Sequence, residues 1–303
     1  MTWVFLAVLS ALCLGVYDLL KKNAVRENAV LPVLFFGVVS GALVWLPFVV
    51  WSAIAPESVP HEFFQVGRMS AQEHLWLLAK SALVSASWLF GYFALKHLPL
   101  STAGPIRSTG PLWTILIATL FLGESPNAWQ WAGVLTILAS FYAFSLVGKL
   151  EGLHFHRDRW VWFMVAATLL GATSSIYDKF LLQQVGIPPS TVQAWFSIYL
   201  VAVLFPFHFW WRNATWRTGK FEWRWSIPLV GITLLIADIF YFNAVQDPDA
   251  LIAVISPVRR MSVLVTFFGG VLLFGETTRV RLKSICLLIL LVGVVLLNLR
   301  GAG

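Results

Sequence analysis

Three arginines stand where a membrane-spanning sequence accommodates charge least well. Arg107 lies in PIRSTGPLWTILIATLFLGE, and Arg259 and Arg260 lie in PVRRMSVLVTFFGGVLLFGE, both otherwise apolar. A cation at the centre of a bilayer helix costs about 2.5–3.5 kcal/mol on insertion scales, so such residues mark a ligand or ion path by default. A guanidinium is always charged and presents a planar fork of donors, which suits carboxylate or phosphate. Neighbouring helix positions are about 100° apart, so Arg259 and Arg260 cannot point the same way. Arg107 and Arg259 are expected to face a common central cavity, with Arg260 beside it. The alternative is structural: Asp18, Asp178 and Asp238 also lie in apolar runs and could neutralise the arginines.

Asp18 and Asp178 form a second constellation, each following a tyrosine in GVYDLLKK and SIYDKFLL. A carboxylate desolvated within a span could carry a coupled proton, which makes Asp18, Asp178, Tyr17 and Tyr177 candidates for coupling or gating. Asp18 also stands three and four residues before Lys21 and Lys22, the spacing of a local helical ion pair. Tyr92, Tyr241 and Asn243 are candidate substrate contacts, as polar edges to a cavity, and ordinary packing would also explain them. His154 and His156, beside Arg157 and Arg159, read as a solvated link. Glu124 and Glu276 follow apolar runs and fit turn or N-terminal cap roles. The sequence offers no nucleophile–base pair, metal-ligand spacing or glycine-rich phosphate loop. Neither an enzyme nor a bound metal or cofactor is expected.

The elements that position these residues follow from composition. Of 303 residues, 59% are hydrophobic and 12% charged, whereas soluble domains carry about 25% charged residues. Apolar runs long enough to cross about 30 Å of hydrocarbon as helices recur throughout. Spans are expected near 2–22, 29–53, 75–97, 100–122, 127–148, 160–184, 191–211, 225–246, 250–274 and 282–300. Only the link over 54–74 is long, and it is polar enough to lie at the membrane surface. The fold class is therefore an all-α polytopic membrane protein with ten transmembrane helices.

The two halves resemble each other. Tyr17-Asp18 aligns with Tyr177-Asp178 at an offset of 160; Pro105, Arg107 and Gly123-Glu124 align with Pro257, Arg259 and Gly275-Glu276 at an offset of 152. Five spans per copy is odd, so the second copy enters from the opposite side. The expected architecture is two inverted five-helix repeats, 1–150 and 151–303, with a site at the midplane between them. A proline before each arginine leaves backbone carbonyls free, which is tolerable where a helix lines a cavity.

The net charge of +7 does not indicate nucleic acid, because the basic residues sit between apolar runs, where orientation signals belong. Fourteen fall on one side and three (Arg68, Lys80 and Arg300) on the other, placing the links after odd-numbered spans in the cytoplasm and both termini outside. Cys13 and Cys286 lie in apolar helices and suggest no disulfide. The N-terminus lacks a charged region and cleavage site, so it reads as a first span.

With these motifs the sequence resembles the drug/metabolite transporter superfamily, EamA type, over the whole chain; LFLGE and LLFGE closing spans 4 and 9 carry the likeness. The resemblance implies a small-solute carrier working by alternating access, in a cell membrane such as the bacterial inner membrane. PIRSTGPLW and SPVRRMSV are further similar to plastid sugar-phosphate translocators of that superfamily, which implies phosphate or carboxylate ligation by Arg107, Arg259 and Arg260. Some members have both termini in the cytosol, against the charge count here. The expected partners are a small, anionic substrate and the bilayer, with protons or a counter-substrate for coupling, and a homodimer is compatible with the sequence. Competing readings are a broad exporter of amino acids or drugs with internally paired arginines, and a lipid-headgroup translocase.

Overall fold

A computed structural model describes residues 2–122, 127–150, 157–213, 220–250 and 252–297. In chain order the helices are α1 (Thr2–Val25), α2 (Val30–Ile54), α3 (Ala71–His97), α4 (Leu100–Ser108), α5 (Gly110–Leu122), α6 (Ala128–Leu150), α7 (Arg159–Lys179), α8 (Pro189–Asn213), α9 (Ser226–Gln246), α10 (Ile252–Arg260), α11 (Ser262–Phe274) and α12 (Val280–Leu297). Two 3-10 turns lie between α2 and α3, and a π-helical turn, Phe180–Gln184, continues α7. No strand occurs among the described residues. In hydrocarbon every backbone N–H and C=O needs an internal partner, which a helix supplies within one segment. Six of these helices are each long and apolar enough to cross a bilayer: α1, α2, α3, α7 with its π turn, α8 and α9.

The runs expected as single spans over 100–122 and 250–274 are each broken in two. The breaks fall at Thr109 and Met261, 152 residues apart. Around each, two short hydrogen bonds replace the helical ladder: Thr109 N to Ile106 O and Leu112 N to Thr109 O, against Met261 N to Val258 O and Leu264 N to Met261 O. Pro105 and Pro257 lie inside α4 and α10, so the chain continues as helix past both and breaks four residues later. Pro111 follows the first break, but Val263 stands at the matching place after the second. A proline is therefore not the common cause.

Between the halves α1 packs along α9 and α3 along α7; α2 lies against α8, α4 against α11, α5 against α10, and α6 against α12. Exchanging the halves maps this set of contacts onto itself. Close approaches occur at glycines: Gly231 meets the Gly37 carbonyl, and Gly15 meets Val265. Outward-facing leucines, with Leu272 81% and Leu120 77% exposed, present a surface that lipid tails solvate as well as protein would.

Local signals set several helix ends. Ser70 and Glu73 form a capping box at the start of α3, a motif whose cap residue contributes about 1 kcal/mol. Gly275, at φ 67°, terminates α11 in the left-handed conformation, which glycine adopts without a Cβ penalty. Glu276 accepts a 2.9 Å hydrogen bond from Leu100 N. It therefore caps α4 in the other half of the chain, not the helix that follows it. The 54–74 link is strapped to the bundle by Val66 N donating to Ser52 Oγ and Gly67 N to Thr191 Oγ1.

Candidate functional site

A central cavity of about 150 Å³ lies between the two halves. α1 supplies Tyr17 and Lys21, α3 supplies Lys80 and Trp88, and α4 supplies Arg107. From the second half come Asp178 on α7, Asp238 and Tyr241 on α9, and Ser256, Arg259 and Arg260 on α10. All three arginines singled out in the sequence thus line one space.

Two of them are neutralised by carboxylates. Arg107 pairs with Asp18. Arg259 Nη2 meets Asp238 Oδ1 at 3.0 Å, its Nε donates to Ser10 Oγ at 3.1 Å, and its guanidinium lies 3.8 Å from the centre of the Tyr241 ring. Asp178 is taken by Lys80, and Tyr241 Oη donates to its second oxygen at 3.1 Å. The Lys80 ammonium also sits over the rings of Phe196 and Phe242. Side-chain exposure falls along this set from Arg107 at 27%, through Arg259 at 15%, to Lys80 at 2%.

Arg260 differs from the other two. Its Nε is buried without a hydrogen-bond partner, and no carboxylate among the described residues pairs with it. The guanidinium rests against Gly110, at the start of α5 just after the Thr109 break. Lys21 is 4% exposed, with its ammonium 4.1 Å from the centre of the Tyr92 ring and 5.2 Å from that of Tyr17. It too has no paired carboxylate among the described residues. Five cations (Lys21, Lys80, Arg107, Arg259, Arg260) face three carboxylates (Asp18, Asp178, Asp238), leaving a formal surplus of two positive charges.

Several sequence expectations change here. Asp18 turns to Arg107 and not to the lysines beside it: Lys22 instead donates to the carbonyls of Leu95 and Leu98 at 2.8 and 2.7 Å. Those are carbonyls at the C-terminal end of α3, which lack helical partners and attract a cation. Lys80 is not an outward orientation signal but a buried partner of Asp178. Lys21 and Lys283, each 4% exposed, likewise leave the cytoplasmic tally, so the charge count becomes twelve against two, with its direction unchanged. Asn243 bonds back to the Ile239 carbonyl, and Tyr177 Oη to the Trp76 carbonyl. Neither reaches the cavity wall. Tyr92 does not line the cavity either; its ring lies beneath the Lys21 ammonium. Glu124, His154 and His156 lie outside the described residues. Among the described residues there is no cluster of metal-ligating side chains.

Residues 1–146 match the model of the EamA-like transporter family. Over that segment the chain is similar to EamA-type membrane transporters. It is 23% identical over 275 residues to the pseudopaline exporter CntI of Pseudomonas aeruginosa strain PAO1, an alignment covering 90% of this chain and 88% of the relative. The same protein of strain UCBPP-PA14 matches equally. A solved crystal structure shares the fold with a TM-score of 0.64 at 15% identity, over 98% of this chain and 95% of that one. In a transporter of this type, a buried polar space between the halves of the chain is where a solute would bind.

Proposed function

We propose that the transporter is a secondary carrier that moves a small anionic metabolite across the membrane by alternating access, and that Arg260 is its principal substrate contact. One observation carries this reading: Arg260 lines the central cavity with its Nε buried and unbonded, and no carboxylate among the described residues pairs with it. An uncompensated buried charge is costly. A bound carboxylate or phosphate would offset that cost, and a cationic solute would add to it. Arg107 and Arg259 join the site by exchanging Asp18 and Asp238 for the substrate, so the internal carboxylates act as stand-ins while the cavity is empty. Asp178, held by Lys80 and Tyr241, is the proposed coupling group, engaged by a proton or by the displacement that a counter-substrate causes.

The halves 1–150 and 151–303 act as inverted repeats in this proposal. The matched breaks at Thr109 and Met261 and the exchange symmetry of the helix contacts support it. Export is the proposed direction, since the relatives at 23% identity are named exporters. The corrected charge balance favours a cytoplasmic position for the links after α1 and α3, in a cell membrane.

The test is thermal stability of the purified protein with carboxylates, phosphorylated compounds, amino acids and cationic drugs. A ligand binding only the folded state adds about 2.7 kcal/mol at a hundredfold excess over Kd. Anions are expected to stabilise the wild type and not Arg260→Ala. Stabilisation by cationic or neutral compounds alone, retained in Arg260→Ala, would refute the anion carrier and favour the broad exporter.

A further inference from the structure

We infer that Lys21 is a second substrate-binding cation, and that Lys21 and Arg260 together select a solute carrying two negative charges. The inference rests on the anion-carrier reading and goes further by fixing the charge of the substrate and adding a residue from the opposite half of the chain.

The internal charge balance is the first argument. Among the described residues of the site three cations and three carboxylates pair off, and the two cations left over both face the same cavity. A monoanion would leave one of them uncompensated in a site of low polarisability, where an unpaired charge is most costly. A dianion neutralises both.

The mounting of Lys21 is the second. Tyr17 and Lys21 are four residues apart, on one face of α1, and Tyr92 approaches from α3, so the ammonium lies against two aromatic faces. Ring faces attract a cation but do not cancel its charge. They hold the ammonium in place and leave it free to meet an anion. The neighbouring carboxylate, Asp18, is committed to Arg107.

Symmetry is the third. Arg107 and Arg259 are counterparts in the two halves, as are Asp18 and Asp178, and each of these four is ion-paired. The two unpaired cations have no such counterpart: the place of Lys21 is taken in the second half by Leu181, and that of Arg260 in the first half by Ser108. A small metabolite lacks the two-fold symmetry of the repeats. Groups that contact it are under no pressure to be duplicated.

The experiment compares binding of matched dianions and monoanions to the purified full-length protein. The probes are succinate against succinamate, and glycerol 3-phosphate against its phosphate methyl ester. The wild type is expected to bind at least one dianion tenfold or more tighter than its monoanionic partner. Lys21→Met should abolish that preference by weakening the dianion more than its monoanionic partner, Lys21→Arg should restore it, and Arg260→Met should weaken both members of a pair. Equal binding of dianion and monoanion by the wild type overturns the role of Lys21 and leaves the anion carrier standing, as does an equal loss of both in Lys21→Met. Failure of all four anions to bind the wild type overturns both readings. Preference for succinate alone or for glycerol 3-phosphate alone supports the inference and identifies the anionic group as carboxylate or phosphate.

Discussion

Arg260 and Gly110 are in direct apposition across the two halves of the chain: a Cβ added at Gly110 would lie 2.8 Å from Arg260 Nε and 3.0 Å from Nη2. Glycine at 110 is what leaves room for the guanidinium. Gly110→Ala should therefore displace Arg260 while leaving the helix intact, since alanine is the better helix former by about 1 kcal/mol. The expected outcome is at least a tenfold loss of anion affinity with a small change in melting temperature. A variant that binds anions as the wild type does would remove Arg260 from the site.

The three internal ion pairs should differ in their contribution to stability according to their exposure. Breaking a buried pair by removing one partner costs about 3–5 kcal/mol, because the other charge is left uncompensated, and solvent screening reduces this for exposed groups. The Lys80–Asp178 pair is 2% and 5% exposed, Arg259–Asp238 is 15% and 10%, and Arg107–Asp18 is 27% and 5%. Destabilisation is expected in the order Asp178→Asn, Asp238→Asn, Asp18→Asn, read as melting temperatures in detergent. The reverse order would mean that exposure does not govern these pairs.

Helix approach at Gly231 leaves no space for a side chain. A Cβ there would collide with the Gly37 carbonyl and come 3.0 Å from Gly41 N, backbone atoms that cannot rotate away. Gly231→Ala should cost about 1–3 kcal/mol by forcing α2 and α9 apart, despite alanine's higher helix propensity. Gly186 provides the contrast: nothing lies within 4 Å of a Cβ there, but its φ is +79°, so Gly186→Ala should be destabilising through the backbone alone, by about 1–2 kcal/mol. Thermal unfolding of the two variants measures both costs.

Topology can be read from single cysteines, because both native ones, Cys13 and Cys286, lie inside helices. With both replaced by alanine, Glu27→Cys in the α1–α2 link should react with a membrane-impermeant thiol reagent only from the cytoplasmic side. Ser58→Cys, in the α2–α3 link, should react only from outside. The opposite pattern would invert the orientation taken from the charge count.

How much of the site was legible depended on where each charge fell in the sequence. Arg107, Arg259 and Arg260 interrupt long apolar runs, so their cost marked them, and the structure brings all three to one cavity. Lys21 and Lys80 stand nearer the ends of their runs, where a basic residue ordinarily signals orientation, and that pattern concealed them. Asp18 shows the same limit. Helical spacing offered it Lys21 and Lys22, yet Arg107, 89 residues away, takes it, since Lys22 has the free carbonyls of α3 within reach.

The break in each arginine helix was not legible in the sequence, for a related reason. Proline removes one hydrogen bond at a known position, so Pro105 and Pro257 were the local candidates for disruption. The helices run past them and break at Thr109 and Met261, where α4 meets α11 and α5 meets α10.

By itself the sequence determined that the chain is helical and apolar enough for a membrane, that its halves share a pattern, and which arginines are out of place in it. These follow from local terms: hydropathy, period and the cost of an isolated charge. Only the tertiary structure decided which cations are neutralised and which are left over. An ion pair depends on where two helices meet. That choice separates Arg107, Lys80 and Arg259 from Lys21 and Arg260.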